Sequence, residues 1–384
     1  MSRNTFLFYG EQLKKARIYR GYTVAELADL LGYQRQTISM YENGKSMPID
    51  LSVIDNLSRV LDFPRKFFTE RSFEVNCGST YFRALLTTNK KYRNQQEQKL
   101  EFVAEIYSFL QEYVDFPELD IPERRSGMSI EQVAYALREK WGLGNRPIDN
   151  LVYVVEEHGI IVTSFKTDTD DVDAFSKMLS IDEKPVYLIG YSSNKTSAAR
   201  IHFDIAHELG HICLHEWSED IESLSKEEFK EREKEANRFA AAFLLPETSF
   251  KKDILLQPLS LPYYKQLKQK WKVSMAAMIR RAYSLNIISA EDYQMLIRTM
   301  QRRGYRKDEP LDDVLFTSPP SLLKTSVLML LNEKIFTSKE FTDELSYNYG
   351  LSLYPKEIEE LLYLPKNTLA EGEILVFPKV TIKK

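Results

Sequence analysis

The sequence predicts a mainly α chain with a small β-sheet, for three reasons. Apolar residues recur at helical spacing along most of the 384 positions. Three short runs rich in β-branched and aromatic residues cluster between Ile160 and Tyr191. Between them and the C-terminal half, the stretch Arg200 to His211 sets an H-E-x-x-H pattern on an apolar helix that no proline interrupts. Single cores rarely grow beyond about 250 residues, so several domains are expected.

Composition narrows the class further. With 52 basic and 56 acidic side chains the chain carries a net charge of −4, so any nucleic-acid surface must be local rather than a property of the whole. The two cysteines, Cys77 and Cys213, form no disulfide framework and suit a reducing cytosol. Met1 to Gly10 lacks the apolar core of a leader, and no stretch approaches about 18 apolar residues. The expectation is a cytoplasmic, non-membrane protein.

Taken in order, Tyr9 to Tyr19 reads as a first helix stopped by Gly21. Thr23 caps the second, Glu26 completes a capping box three residues on, and Leu27, Ala28 and Leu31 carry it to Gly32. Gln34 to Asn43 makes a third. Two short helices joined by a tight glycine-containing turn are the helix-turn-helix unit, whose second helix enters the major groove. Tyr22 to Ala28, Thr37 to Lys45 and Leu57 to Leu61 resemble the Cro/CI-type (Xre) family of DNA-binding domains over about Glu11 to Phe68.

That resemblance places Gln34, Arg35, Gln36 and Met40 at base-reading positions. The chemistry agrees, because glutamine bonds adenine and arginine bonds guanine in pairs of contacts. Thr37, Asn43 and Lys45 would then contact phosphate and set the register. Met1 to Glu70 holds ten basic and eight acidic residues. So small a surplus calls for a homodimer on paired half-sites of a double-stranded operator.

Asn89 to Tyr113 is a helix with Leu100, Val103, Ile106, Tyr107 and Leu110 in register, read as connecting or dimerising, and Pro117, Pro122 and Gly127 mark a linker after it. Ile160 to Phe165, Ser176 to Ile181 and Val186 to Tyr191 read as strands, the last two joined by Asp182 to Pro185. An edge strand of such a sheet can pair with an extended substrate backbone. The acidic run Asp168 to Asp173 is read as a loop without a ligand role.

On the next helix His207 and His211 stand one turn apart, so both imidazoles can reach one Zn²⁺ at about 2.0 to 2.1 Å. Glu208 then sits beside the ion as a general base. A third ligand is required. His215 is excluded on a straight helix, lying about 12 Å along the axis from His207. The longer motif with a third histidine fails as well, since Leu214 and Trp217 replace its glycine and histidine. The helix Ser225 to Leu245 is the remaining source, with Phe229, Ala236, Phe239, Ala240, Phe243 and Leu244 on its buried side. Glu235, four residues before Phe239, points toward that side, with Glu231 and Glu233 as competitors.

Arg200 to His211, Glu235 to Ala241 and Leu244-Leu245-Pro246 together resemble the ImmA/IrrE family of zinc metallopeptidases. Leu137 to Leu143, Pro147-Ile148 and Glu157 to Ile160 extend the likeness, which covers roughly Ser129 to Thr248. The resemblance implies that the glutamate of the Glu-Ala-Asn segment, here Glu235, is the third zinc ligand. It also implies cleavage of Cro/CI-type repressor proteins that switch on stress or mobile-element genes, or cleavage of the chain itself. Such ligands also accept Mn²⁺ or another divalent ion. Arg200, His202 or a tyrosine would polarise the scissile carbonyl. A catalytically silent sensor or interaction module is the alternative.

Beyond Pro246, Tyr264 to Trp271, Ser274 to Leu285 and Ser289 to Arg302 read as helices, and Val273 to Ala277 looks like the segment following the peptidase in longer fused relatives. Leu322 to Leu331, Ser338 to Tyr347 and Pro355 to Leu362 form a last helical group, with Glu373 to Lys383 as a terminal strand. The expected organisation is a helix-turn-helix bundle (1–72), a connecting helical linker (73–127), a zincin-like α+β peptidase domain (128–250), an accessory helical segment (251–306) and a C-terminal helical region (307–384).

Overall fold

The computed structural model describes residues 7–71, 76–82, 90–123, 127–167, 174–181, 184–194, 197–217 and 224–370. Helices α1 (Gly10–Tyr19), α2 (Val24–Leu31), α3 (Arg35–Glu42) and α4 (Leu51–Leu61) form the N-terminal bundle. Thr23 and Glu26 close the expected capping box at the start of α2, and Gly32 ends it in the left-handed region at φ 71°. Leu13, Ala16, Leu27, Ile38, Ile54 and Leu57 fill the bundle core. A buried ion pair sets α3 against α1: Arg17 donates from Nε to Glu42 Oε1 at 2.5 Å and from a terminal nitrogen to Oε2 at 3.0 Å.

Strand β1 (Asn76–Phe82) and helix α5 (Lys90–Leu110) follow, then α6 (Ile130–Lys140), α7 (Leu151–Glu157) and strands β2 (Ile160–Phe165), β3 (Ala174–Ile181) and β4 (Lys184–Ser192). The strands form one sheet in the order β1-β3-β4-β2. β3 runs antiparallel to both β1 and β4, and β2 runs parallel to β4. The three strands read from the sequence are present. β1 is not legible in the sequence, because Asn76 and Gly78 are residue types depleted in strands and leave only Thr80, Tyr81 and Phe82 to mark it.

Alternation along the strands divides the interior in two. Ile160, Val162, Ala174, Ile189 and Tyr191 face one core. Ile161, Phe165, Phe175, Leu179 and Leu188 face the other. The first core is built with α8 (Ala198–Leu214), α9 (Lys226–Leu244), α10 (Glu247–Ile254), α11 (Leu261–Trp271), α12 (Met275–Ser284) and α13 (Ala290–Arg302). Met275 and Met278 lie there as packing residues.

The second core joins the sheet to α5, the N-terminal bundle and the last helices α14 (Leu322–Asn332), α15 (Ser338–Tyr349) and α16 (Pro355–Leu361). Helix α5, read from the sequence as connecting or dimerising, packs its apolar side within the chain, against α1, the sheet, α14 and α15. Lys15 of α1 reaches Glu105 of α5 at 2.8 Å, and Phe102 stacks on Tyr19 with centroids 5.2 Å apart. The C-terminal helices hold the N-terminal bundle as well. Gln12 donates to the Gly350 carbonyl at 2.9 Å, Tyr19 to Glu357 at 2.7 Å, and Ser346 and Ser352 both bond Glu70.

Among the described residues no helix is long and apolar enough to cross a membrane. The expected strand Glu373 to Lys383, the run Asp168 to Asp173 and the centre of the Asp182 to Pro185 turn lie outside the described residues.

Candidate metal centre

Helix α8 runs through the middle of the first core, and His207, Glu208 and His211 are fully buried in it. The two Nε2 atoms approach to 3.1 Å, as expected for side chains one turn apart. Glu233 of α9 closes a triangle with them, Oε2 lying 3.4 Å from His207 Nε2 and Oε1 3.2 Å from His211 Nε2. Ligand atoms about 2.0 to 2.1 Å from a tetrahedral ion stand about 3.3 Å from one another, so the three groups fit a divalent ion with one position left open.

The protonation states suit that role. Burial pulls His211 down to about 4, against the opposing influence of Glu233, and the imidazole is neutral at physiological pH. Burial pushes the Glu233 carboxyl up, but hydrogen bonds to His207 and His211 outweigh it and bring the group to about 2. Two imidazoles and one carboxylate are the donor set of many catalytic zinc sites.

The expectation that Glu235 completes the set is corrected here. Glu235 instead contacts His215, Oε2 to Nε2 at 3.1 Å, while Glu231 is exposed and bonds Lys234. Helix register is the reason. Phe229, Glu233, Ala236, Ala240 and Phe243 recur at spacings of four and three, a single stripe facing α8. The two helices cross where both residues are small: a Cβ added to Gly210 would stand 3.1 Å from Ala236 Cα. Glu233, three residues before Ala236, shares that stripe. Glu235 is turned from it by about 100°, one residue's rotation. Counting from Phe239, at the margin of the stripe, pointed to the wrong glutamate; counting from the small residue Ala236 points to Glu233.

His215 is not a ligand either, but it is not idle. Its Nδ1 lies 2.9 Å from His211 Nδ1. If His211 offers Nε2 to an ion, its Nδ1–H donates to His215, whose Nε2–H donates to Glu235. Such outer partners hold a ligating histidine in one tautomer and orientation.

On the other side of α8, Ser176 of β3 donates its hydroxyl to Glu208 Oε2 at 2.5 Å. His202 is buried among other groups: its Nε2 accepts the Leu151 N–H at 3.3 Å and meets Thr317 Oγ1 at 3.1 Å, and burial lowers it to about 3. Arg200 faces Asp312 at 3.9 Å. Neither contact involves the histidine pair. Cys213 is buried, its thiol pushed up to about 12, and it serves as a small core residue.

In the N-terminal bundle, Gln34, Arg35, Gln36, Met40, Asn43 and Lys45 are exposed and Thr37 is half-buried, while Ile38, Tyr41 and Glu42 point into the core. Asn43 also closes the end of α3, donating from Nδ2 to the Ser39 carbonyl at 2.7 Å.

Comparison with known proteins finds a family match over each of these two regions. Residues 13–68 match the helix-turn-helix family. Residues 155–283 match the IrrE N-terminal-like domain of the M78 peptidases. The second match begins in α7 and ends in α12, so it reaches past the Thr248 limit read from the sequence. An SPbeta prophage-derived uncharacterized HTH-type transcriptional regulator, YonR of Bacillus subtilis (strain 168), is 42% identical over 71 residues. That alignment spans 18% of this chain and 65% of the relative.

Proposed function

We propose that this chain, which joins a helix-turn-helix DNA-binding domain to an IrrE-type peptidase domain, is a transcriptional regulator that carries a working metallo-endopeptidase. It acts where DNA is, in the cytoplasm, binding a double-stranded operator as a homodimer. It cleaves a repressor protein, or itself, in response to stress or to signals from mobile elements. The observation that carries this reading is a buried carboxylate, Glu208, that is no part of the ligand triangle yet lies next to it in the helix.

His207, His211 and Glu233 would hold the ion, Zn²⁺ by donor type, with Mn²⁺ as a tolerated substitute. When bound, it supplies Lewis acidity to the scissile carbonyl. Glu208 does the proton work. Its Oε2 is held by Ser176, and Oε1 takes a proton from the attacking water as the water oxygen bonds the carbonyl carbon. The same proton passes to the amide nitrogen as the carbon–nitrogen bond breaks. On the DNA side, Gln34, Arg35, Gln36 and Met40 read base edges, and Thr37, Asn43 and Lys45 hold phosphates.

One observation favours the second reading, a silent sensor module: β3, whose Ser176 bonds Glu208, has both of its edges already paired, with β4 and with β1. The Glu208→Gln variant separates the two. It should keep fold, metal and operator binding, yet lose cleavage by about 10² to 10⁴-fold, the usual contribution of acid–base catalysis. If parent and variant regulate the same genes equally after the inducing stress, with no fragment in either, the domain is a sensor.

A further inference from the structure

β3 is the strand that touches the catalytic carboxylate, through Ser176 and Glu208. One of its edges is held by β4 along the whole length from Ala174 to Ile181. Its other edge pairs with β1, where Tyr81 stands opposite Ser176 and Thr80 opposite Lys177. The backbone of β1 therefore runs antiparallel past the residue that hydrogen-bonds Glu208. An extended polypeptide presented for cleavage would use the same main-chain groups of β3.

We propose that the outer edge of β3 is the docking edge for an extended polypeptide and that the chain's own segment Asn76–Phe82 is its resident, displaceable occupant; this rests on the peptidase reading for its consequence, though not for the docking itself. Four further observations support it. The pairing is imperfect, with a shift of register between Cys77 and Thr80. Asn76 and Gly78 are residue types depleted in strands, so the strand propensity of β1 rests on Thr80, Tyr81 and Phe82 alone. β1 also lies outside residues 155–283, in the segment between the two matched domains. Finally, β3 does not depend on β1 for its place. Beyond its pairing with β4, Lys177 anchors it from the opposite face to Glu101 at 2.9 Å and Glu97 at 3.2 Å on α5. Departure of β1 would uncover the edge without dismantling the sheet.

The test is a full-length, metal-loaded chain carrying Thr80→Pro with Tyr81→Pro. Adjacent residues of an antiparallel strand alternate between bonded and non-bonded positions, so one of the two substitutions must remove a bond to β3. Every second amide from Ser176 to Leu179, those that point to β1, should lose hydrogen-exchange protection, while those bonded to β4 keep it. A fluorescent peptide of residues 74–84 should bind this variant and not the parent, in both Glu208 and Glu208→Gln backgrounds. Cleavage of an unfolded casein substrate should rise about tenfold or more, the gain expected when a site mostly occupied in cis is freed. If the proline pair costs the chain its metal or its DNA binding, Thr80→Gly with Phe82→Gly serves as a milder version with smaller changes in the same direction. Peptide binding to the variant alone, with no cleavage by any chain, would sustain the docking edge and sink the peptidase reading. Equal peptide binding by parent and variant, binding by neither, or unchanged protection of β3 overturns the docking proposal.

Discussion

Helices α3 and α8 place their functional residues on opposite sides of the solvent boundary. In α3 the candidate contacts are nearly all exposed, and the buried face formed by Ile38, Tyr41 and Glu42 only orients them. In α8 the candidate residues are themselves the buried face, and His207, Glu208 and His211 depend on groups supplied by α9 and β3. A surface-reading helix is complete once it is docked. A buried metal helix is complete only when its neighbour arrives in the right register, so its site should be the more sensitive to changes on other elements.

The largest expected effect tests that dependence on register. Glu233→Ala should abolish one-to-one divalent metal binding, whereas Glu235→Gln should weaken it by about 10 to 100-fold, as for an outer partner of a ligating histidine. Competition against a chelator of known affinity measures both. The reverse order would return Glu235 to the ligand set and undo the register argument drawn from Ala236.

A smaller effect tests whether the scaffold of α3 can be disturbed separately. Arg17→Ala leaves Glu42 buried without its guanidinium, a change that costs about 3 to 5 kcal/mol when such pairs are broken. Denaturant unfolding of the N-terminal bundle should shift accordingly, while metal content stays the same. A simultaneous loss of metal would show that the two sites are coupled more tightly than the comparison allows.

The smallest effects concern the exposed face. Arg35→Ala should cost about 1 to 3 kcal/mol of operator affinity and relax sequence preference. Lys45→Ala should weaken binding to all sequences alike and reduce its salt dependence. Both are read by operator titration at several salt concentrations. Uniform loss for Arg35→Ala would move that residue from base reading to phosphate binding.

The amino-acid sequence by itself determined everything that repeats within one element. The spacing of His207 and His211 needs only the pitch of a helix, as does the position of Glu208 between them. The Thr23 and Glu26 capping box, the polar face of α3 and the three strand runs from Ile160 to Tyr191 are equally local. What the tertiary structure decided is every choice between elements. Glu233 displaces Glu235 because Gly210 and Ala236 let α8 and α9 meet closely on one stripe rather than its neighbour. β1 joins the sheet although Asn76 and Gly78 disfavour a strand, since an edge accepts any backbone that can pair with it. His202 is drawn toward Leu151 and Thr317, away from the histidines beside it in sequence, because α7 and the chain near residue 317 pack on that side of α8. Periodicity shows which residues share a face, but which faces meet is settled by contacts between segments distant in the chain.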